Sequence, residues 1–192
     1  MTTPPRLIIT RADEVEKTLP TRNISAVLSI EHPGAVESGS GAAPRLDTTT
    51  QLILCFWDVE QQAQKGPDLA QVQAGIDFVM AHVAKGDVLI HCHAGKSRSA
   101  AIALGVLALL HPDDDEAKLI DRLLDIRPIA APNILVVGMV DKIAGRGGKL
   151  LAAVEAHPQL TAQREQTEKN RQWMLRNDPK LYKKIFPEKF NP

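Results

Sequence analysis

Four short apolar runs mark the first half of the chain: residues 6–10 (RLIIT), 23–30 (NISAVLSI), 51–56 (QLILCF) and 88–91 (VLIH). Their length and their branched aliphatic residues predict buried β-strands. Between them the spacing changes. Residues 13–19 predict a short helix stopped by Pro20. Val72, Ile76, Val79 and Val83 recur at helical intervals after Gly66-Pro67-Asp68, where Asp68 suits a helix N-terminus. Residues 31–50 are rich in Gly, Ser, Pro and Ala and predict a long, mobile loop. Beyond the fourth run an Ala-rich helix is expected over 98–110, and two more over 113–126 and 132–143. The acidic cluster Asp113-Asp114-Asp115-Glu116 opens one of these, and Pro132 in a first helical turn opens the other. Strands alternating with helices imply an α/β fold, a mostly parallel central sheet flanked by helices on both faces.

The end of the chain reads differently. Residues 157–192 hold eight Lys or Arg against four Asp or Glu, whereas the whole chain balances 23 against 23. The expected division is a main domain over 1–148 and a basic helical C-terminal extension over 149–192. Trp173, Tyr182, Phe186 and Phe190 are expected to anchor that extension as it folds back. The other reading gives its basic face to a partner or a surface. Zero net charge argues against a nucleic-acid partner recognised by bulk charge. With 44% hydrophobic and 24% charged residues the chain is not a disordered one. The longest apolar stretch, 99–110, is too short to cross a bilayer, so no integral membrane segment is expected. The first six residues lack the layout of a signal peptide. Cys55 and Cys92 are too few for a disulfide scaffold, and a soluble cytoplasmic protein is the expectation.

One segment carries chemistry. His91-Cys92-His93-Ala94-Gly95-Lys96-Ser97-Arg98-Ser99 lies between the fourth strand and the Ala-rich helix. There the backbone N–H groups of His93, Ala94, Gly95, Lys96, Ser97 and Arg98 are expected to face a concavity at the helix N-terminus. A phosphate-sized anion fits such a place. The same field favours thiolate over thiol at Cys92. Arg98, six positions after Cys92, brings a planar bidentate guanidinium over the anion. Gly95 lets the loop turn where a Cβ would obstruct it. Ser99 is placed to donate a hydrogen bond to the Cys92 sulfur. Other readings of the segment fit less well. A nucleotide P-loop needs a glycine five residues before Gly95, where Ile90 stands. The typical loop of rhodanese-like sulfurtransferases is one residue shorter. Zinc would need a second Cys or His pair at ligand spacing. A buried, inert cysteine is the plain alternative.

Cys-x5-Arg-Ser behind a histidine and a buried strand resembles the signature of the cysteine-based protein tyrosine phosphatase superfamily, in its dual-specificity branch. Ile24-Ser25-Ala26-Val27-Leu28-Ser29-Ile30 is similar to an early strand of that branch. Arg127-Pro128-Ile129-Ala130-Ala131-Pro132-Asn133 is similar to the stretch leading into one of its late helices. The resemblance covers residues 6–143 and leaves the tail outside. It implies a metal-independent, cofactor-free hydrolysis of phosphate monoesters through a phosphocysteine, with Cys92 as nucleophile and Arg98 and the loop amides holding the phosphoryl oxygens. Such a reaction needs a general acid on another loop. Asp58, in Phe56-Trp57-Asp58, stands where the family's general acid follows a strand; Asp68 is its competitor. Ser99 would ease departure of the sulfur in the second step. His91, Asn133 and Arg127 are expected to support the loop.

His93 and Lys96 are basic-capable, and family members acting on phosphoinositides resemble this loop in carrying basic residues at those positions. A phosphoprotein, with phosphotyrosine first and phosphoserine or phosphothreonine next, is nevertheless the leading substrate expectation. A phosphoinositide or another polyphosphorylated small molecule comes second. A non-catalytic phosphate-binding module is the reading of another class, opposed by the joint presence of Cys92, Arg98 and Asp58. Cys55 is either a small buried hydrophobe or a redox partner of Cys92, the latter only if their Cα atoms lie within about 7 Å.

Overall fold

Parallel strands cannot be joined by tight turns, so each must be followed by a crossover, and the spacing of the apolar runs leaves room for one each time. The computed structural model describes residues 6–39, 41–61 and 65–186; residues 1–5 and Phe190 lie outside the described residues. Strands β1 (Leu7–Arg11), β2 (Ile24–Glu31), β3 (Gln51–Cys55) and β4 (Asp87–Cys92) form one sheet in the order β1-β4-β2-β3. All its pairings are parallel. These are the four predicted runs, with ends moved by a residue or two. The short helix expected over 13–19 is broken into α1 (Val15–Thr18) between two 3-10 turns.

Side chains alternate across a strand, and the two faces are covered unequally. Leu28, Ile30, Leu54, Val88 and Ile90 join the main core beneath α3 (Leu69–Val83) and α4 (Arg98–Leu110). Val27 and Leu89 face the other way, against Val15, with Ile8, Leu19 and Leu46 around them. α4 is buried along its length from Arg98 to Ala108, as a helix apolar on every side must be. Gly105 lets α6 (Ile134–Ile143) approach: a Cβ there would stand 2.8 Å from Cγ1 of Val140.

Several boundaries differ from expectation, each for a capping reason. α5 spans Glu116–Ile126, not 113–126, because Asp115 is the cap and accepts a hydrogen bond from the N–H of Lys118 at 2.9 Å. Asp114 is pulled aside to Arg122 at 2.7 Å. α6 begins at Ile134, and Pro132 lies outside it, because Asn133 accepts from the N–H of Val136. The 31–50 loop holds a short helix, α2 (Ala35–Ser38), and is tied to the sheet. Arg45 forms two bonds to the Glu31 carboxylate, 2.9 and 3.0 Å, and the Ala43 N–H adds a third.

Cys55 does not lie beside Cys92. Strand β2 runs between their strands, Cys55 pairing with Glu31 and Cys92 with Arg11. Two strand spacings separate them by about 10 Å, beyond disulfide reach. Cys55 is also exposed, so it is no buried hydrophobe either. Desolvation first, and the Glu31 carboxylate second, push its thiol pKa up.

The C-terminal region is helical as expected: α7 (Lys149–Ala156), α8 (Pro158–Asn177) and α9 (Pro179–Ile185). Leu150, Val154 and Leu160 belong to the main core. Asp141 of α6 caps the start of α7 through the N–H groups of Gly148, Leu150 and Leu151. Of the expected anchors, Tyr182 is buried, whereas Trp173 is 61% exposed. Among the described residues no helix is long and apolar enough to cross a membrane.

Candidate active site

β4 delivers Cys92 at its C-terminal end and α4 begins at Arg98, so the five residues between them form a loop at a helix N-terminus. Four of the five loop carbonyl groups are taken up by the surrounding protein. Those of His93, Lys96 and Ser97 accept from the N–H groups of Ala12, Ala131 and Ala101, respectively. That of Gly95 accepts from Nε of Arg127 at 2.9 Å. In a planar trans peptide the following N–H points opposite to the carbonyl. Outward carbonyls therefore turn the N–H groups of Ala94, Lys96, Ser97 and Arg98 inward. Gly95 makes the turn at φ +62°, and a Cβ there would collide with the carbonyl of Thr10. Arg127, expected as a supporting residue, is a brace of this loop.

Cys92 is 2% exposed, and its Sγ lies 3.2 Å from Oγ of Ser99, the geometry expected of a hydroxyl supporting the sulfur. The buried Arg98 guanidinium is aimed by an NH1 bond to the carbonyl of Phe56 at 2.9 Å. His91 is buried behind the loop, with Nε2 2.7 Å from Oγ of Ser29, which also accepts from Gln51. Burial draws its pKa down to about 4, so the ring is neutral at pH 7. It supports the strand end and adds no charge.

Asp58 follows β3 and reaches the loop. Its Oδ1 accepts from Oγ of Ser97 at 2.7 Å and from Nδ2 of Asn133 at 2.8 Å. Its Oδ2 stands 3.9 Å from Nε of Arg98 and 3.7 Å from a terminal nitrogen of Arg171. Burial opposes ionisation of this carboxyl. Arg98, then Arg171, and the bonds from Ser97 and Asn133 outweigh it and hold the pKa below the usual carboxylate range. Asn133 thus caps α6 with its oxygen and holds Asp58 with its nitrogen. Asp68, the competing acid, caps α3 through the N–H of Gln71 and is accounted for there.

Cys92, Ser97, Arg98 and Asp58 line one cavity of about 390 Å³, within the range of small-ligand sites. Lys96 and His93 also line it. Burial first, with Arg98 and His32, lowers the pKa of His93. The lowered pKa favours the neutral imidazole. Sequence reasoning missed the far wall, which comes from the C-terminal region: Arg171 and Met174 of α8, Ile185 of α9, and Phe186. The excess of basic residues in the tail was the signal available, without an address.

The fold is similar to that of dual-specificity phosphatases of known structure. Human DUSP28 matches with a TM-score of 0.56 and 21% identity, over 73% of this chain and 92% of its own. The human tyrosine phosphatase-like serine/threonine/tyrosine-interacting protein matches at 0.60 and 17%, over 73% and 91%. PTPMT1, solved in complex with PI(5)P, matches at 0.56 and 17%, over 78% and 92%. The sequence itself matches no protein-family model and no curated protein. At these identities the likeness is one of fold, and on that level the resemblance carried by residues 91–99 holds.

Proposed function

We propose that this chain is a cysteine-dependent phosphatase acting on phosphate monoesters, phosphoproteins first. The observation that carries the reading is the convergence of Cys92, Arg98 and Asp58, from three elements, on one cavity ringed by inward N–H groups. Cys92 Sγ attacks phosphorus as the ester P–O bond breaks, and Asp58 gives its proton to the departing oxygen. Arg98 and the amides of Ala94, Lys96 and Ser97 hold the equatorial oxygens. A water then attacks the phosphocysteine, its proton passes to Asp58, the S–P bond breaks, and inorganic phosphate leaves. Ser99 stabilises the sulfur as it departs.

The apolar part of the cavity, Ile129, Met174 and Phe186, favours an aromatic leaving group and hence phosphotyrosine. Lys96 and Arg171, on two sides of the same cavity, support the second reading, a polyphosphorylated small molecule. Steady hydrolysis of an aryl phosphate with excess chelator, abolished in Cys92→Ser and in Arg98→Ala, is the expected result. Hydrolysis that survives Cys92→Ser, or needs an added metal ion, contradicts the reading.

A further inference from the structure

The wall supplied by α8 contains a cation that the proposed mechanism leaves unused. Arg171 has a side chain only 17% exposed, and its nearest acidic partners are Asp58 at 3.7 Å and the exposed Glu168 at 3.9 Å. Its guanidinium carbon lies 5.0 Å from the centre of the Phe186 ring, a stacked arrangement that fixes a planar cation without neutralising it. Nε of Arg171 and Nε of Arg98 are both buried and without a hydrogen-bond partner among the described residues. Both guanidiniums stand within 4 Å of the same oxygen of Asp58. Two buried cations thus share one buried carboxylate, and the only other acid near Arg171 among the described residues, Glu168, is exposed to solvent; an anionic ligand would pair the buried positive charge that this leaves poorly compensated.

We propose that Arg171 is a substrate-binding residue that pairs with a second negative charge beside the scissile phosphate, an acidic side chain next to the phosphotyrosine of a peptide, and that this pairing releases Asp58 to act as acid. The inference rests on the phosphatase reading and deepens it.

A phosphate dianion on Arg98 occupies one of the two cations that hold Asp58 ionised. Arg171 is the other. While it stays on Asp58 the carboxylate resists protonation; once it turns to the substrate, burial favours the protonated acid. The remaining titratable or charged groups on the cavity are Cys92, His93, His32, Lys96 and Arg11, none of them a carboxylate that could take the place of the substrate anion. A peptide suits the site better than an inositol ring. Met174, Ile185 and Phe186 beside Arg171 offer apolar surface to an aromatic ring, whereas a polyhydroxylated ring would meet it with unpaired hydroxyls.

The test uses the full chain and two phosphotyrosine peptides that differ by Glu or Gln next to the phosphorylated residue. Affinities are measured on the Cys92→Ser background and kcat/KM on the active protein. The expected preference for the Glu peptide is about tenfold. Arg171→Gln brings the ratio close to one, and Arg171→Lys restores part of it. With phenyl phosphate, whose leaving group needs protonation, Arg171→Gln also moves the alkaline limb of kcat/KM to higher pH, since Asp58 has lost one of its two cations. A Glu/Gln ratio that is unchanged in Arg171→Gln overturns the proposal, as does a charge preference confined to inositol phosphates. Lack of turnover with a retained, Arg171-dependent affinity ratio defeats the phosphatase reading alone.

Discussion

Asp58 has four polar partners, and all of them favour its ionised form, yet the proposed first step needs it protonated. The free protein therefore holds the acid in its unreactive state, and the kcat/KM profile should fall as pH rises through a Asp58 pKa that lies on the acid side. The sign follows from the role: an acid is competent only below its pKa, and the two guanidiniums lower that pKa. Asp58→Asn is expected to remove this alkaline limb. It should slow esters with poor leaving groups by about 10²-fold or more, while aryl phosphates of strongly acidic phenols, which leave unprotonated, change by a few-fold. If Asp68→Asn shows this pattern and Asp58→Asn does not, the acid is misassigned. The residues most legible in the sequence were those whose partners are near in the chain. Cys92, Arg98, Ser99 and Gly95 share one strand–loop–helix unit, so spacing alone places them. Asn133 and Arg127 were visible as supports, but that Asn133 holds Asp58 depends on a contact across 75 positions.

The helix that carries Arg98 must be rigid for the loop to hold its shape, and its rigidity comes from burial on all sides. Gly105 sits where α4 meets α6, with Val140 Cγ1 at 2.8 Å and Ile76 Cδ1 at 3.0 Å from the place of a Cβ. Helix propensity alone predicts that Gly105→Ala stabilises the protein by about 1 kcal/mol. Packing predicts the reverse, because β-branched Val140 cannot swing aside, and overpacking costs about 1–3 kcal/mol. A lowered denaturation midpoint with an unchanged m-value is the expected outcome; a raised midpoint would mean that α4 and α6 are not packed this closely. At this scale the apolar periodicity gave the elements and their type. It missed their starts, because geometry decides which residue caps: Asp115 caps α5 rather than Asp113 or Asp114, and Asn133 caps α6, which leaves Pro132 outside the first turn. The 31–50 loop looked mobile from composition, since nothing local shows that Arg45 returns to Glu31.

Across the whole molecule the C-terminal helices are part of the site. Gln159 and Gln163 of α8 both donate to the carbonyl of Pro128, next to the loop-bracing Arg127. Arg171 then reaches Asp58 while Met174 and Phe186 line the cavity. The charge asymmetry of the chain, basic tail against acidic body, has its structural counterpart in that contact. Composition announced a basic tail but could not say which face it covers, and Trp173, the largest apolar residue in it, points away. The central claim is that phosphate passes through Cys92. Acid-quenching the reaction with an aryl phosphate and mapping the protein by mass spectrometry tests it most directly. The account predicts a phosphoryl group on the peptide containing Cys92, formed as the phenol is released and enriched in Ser99→Ala, in which the sulfur leaves more slowly. Turnover without that adduct, or with the phosphoryl group on another residue, would contradict it.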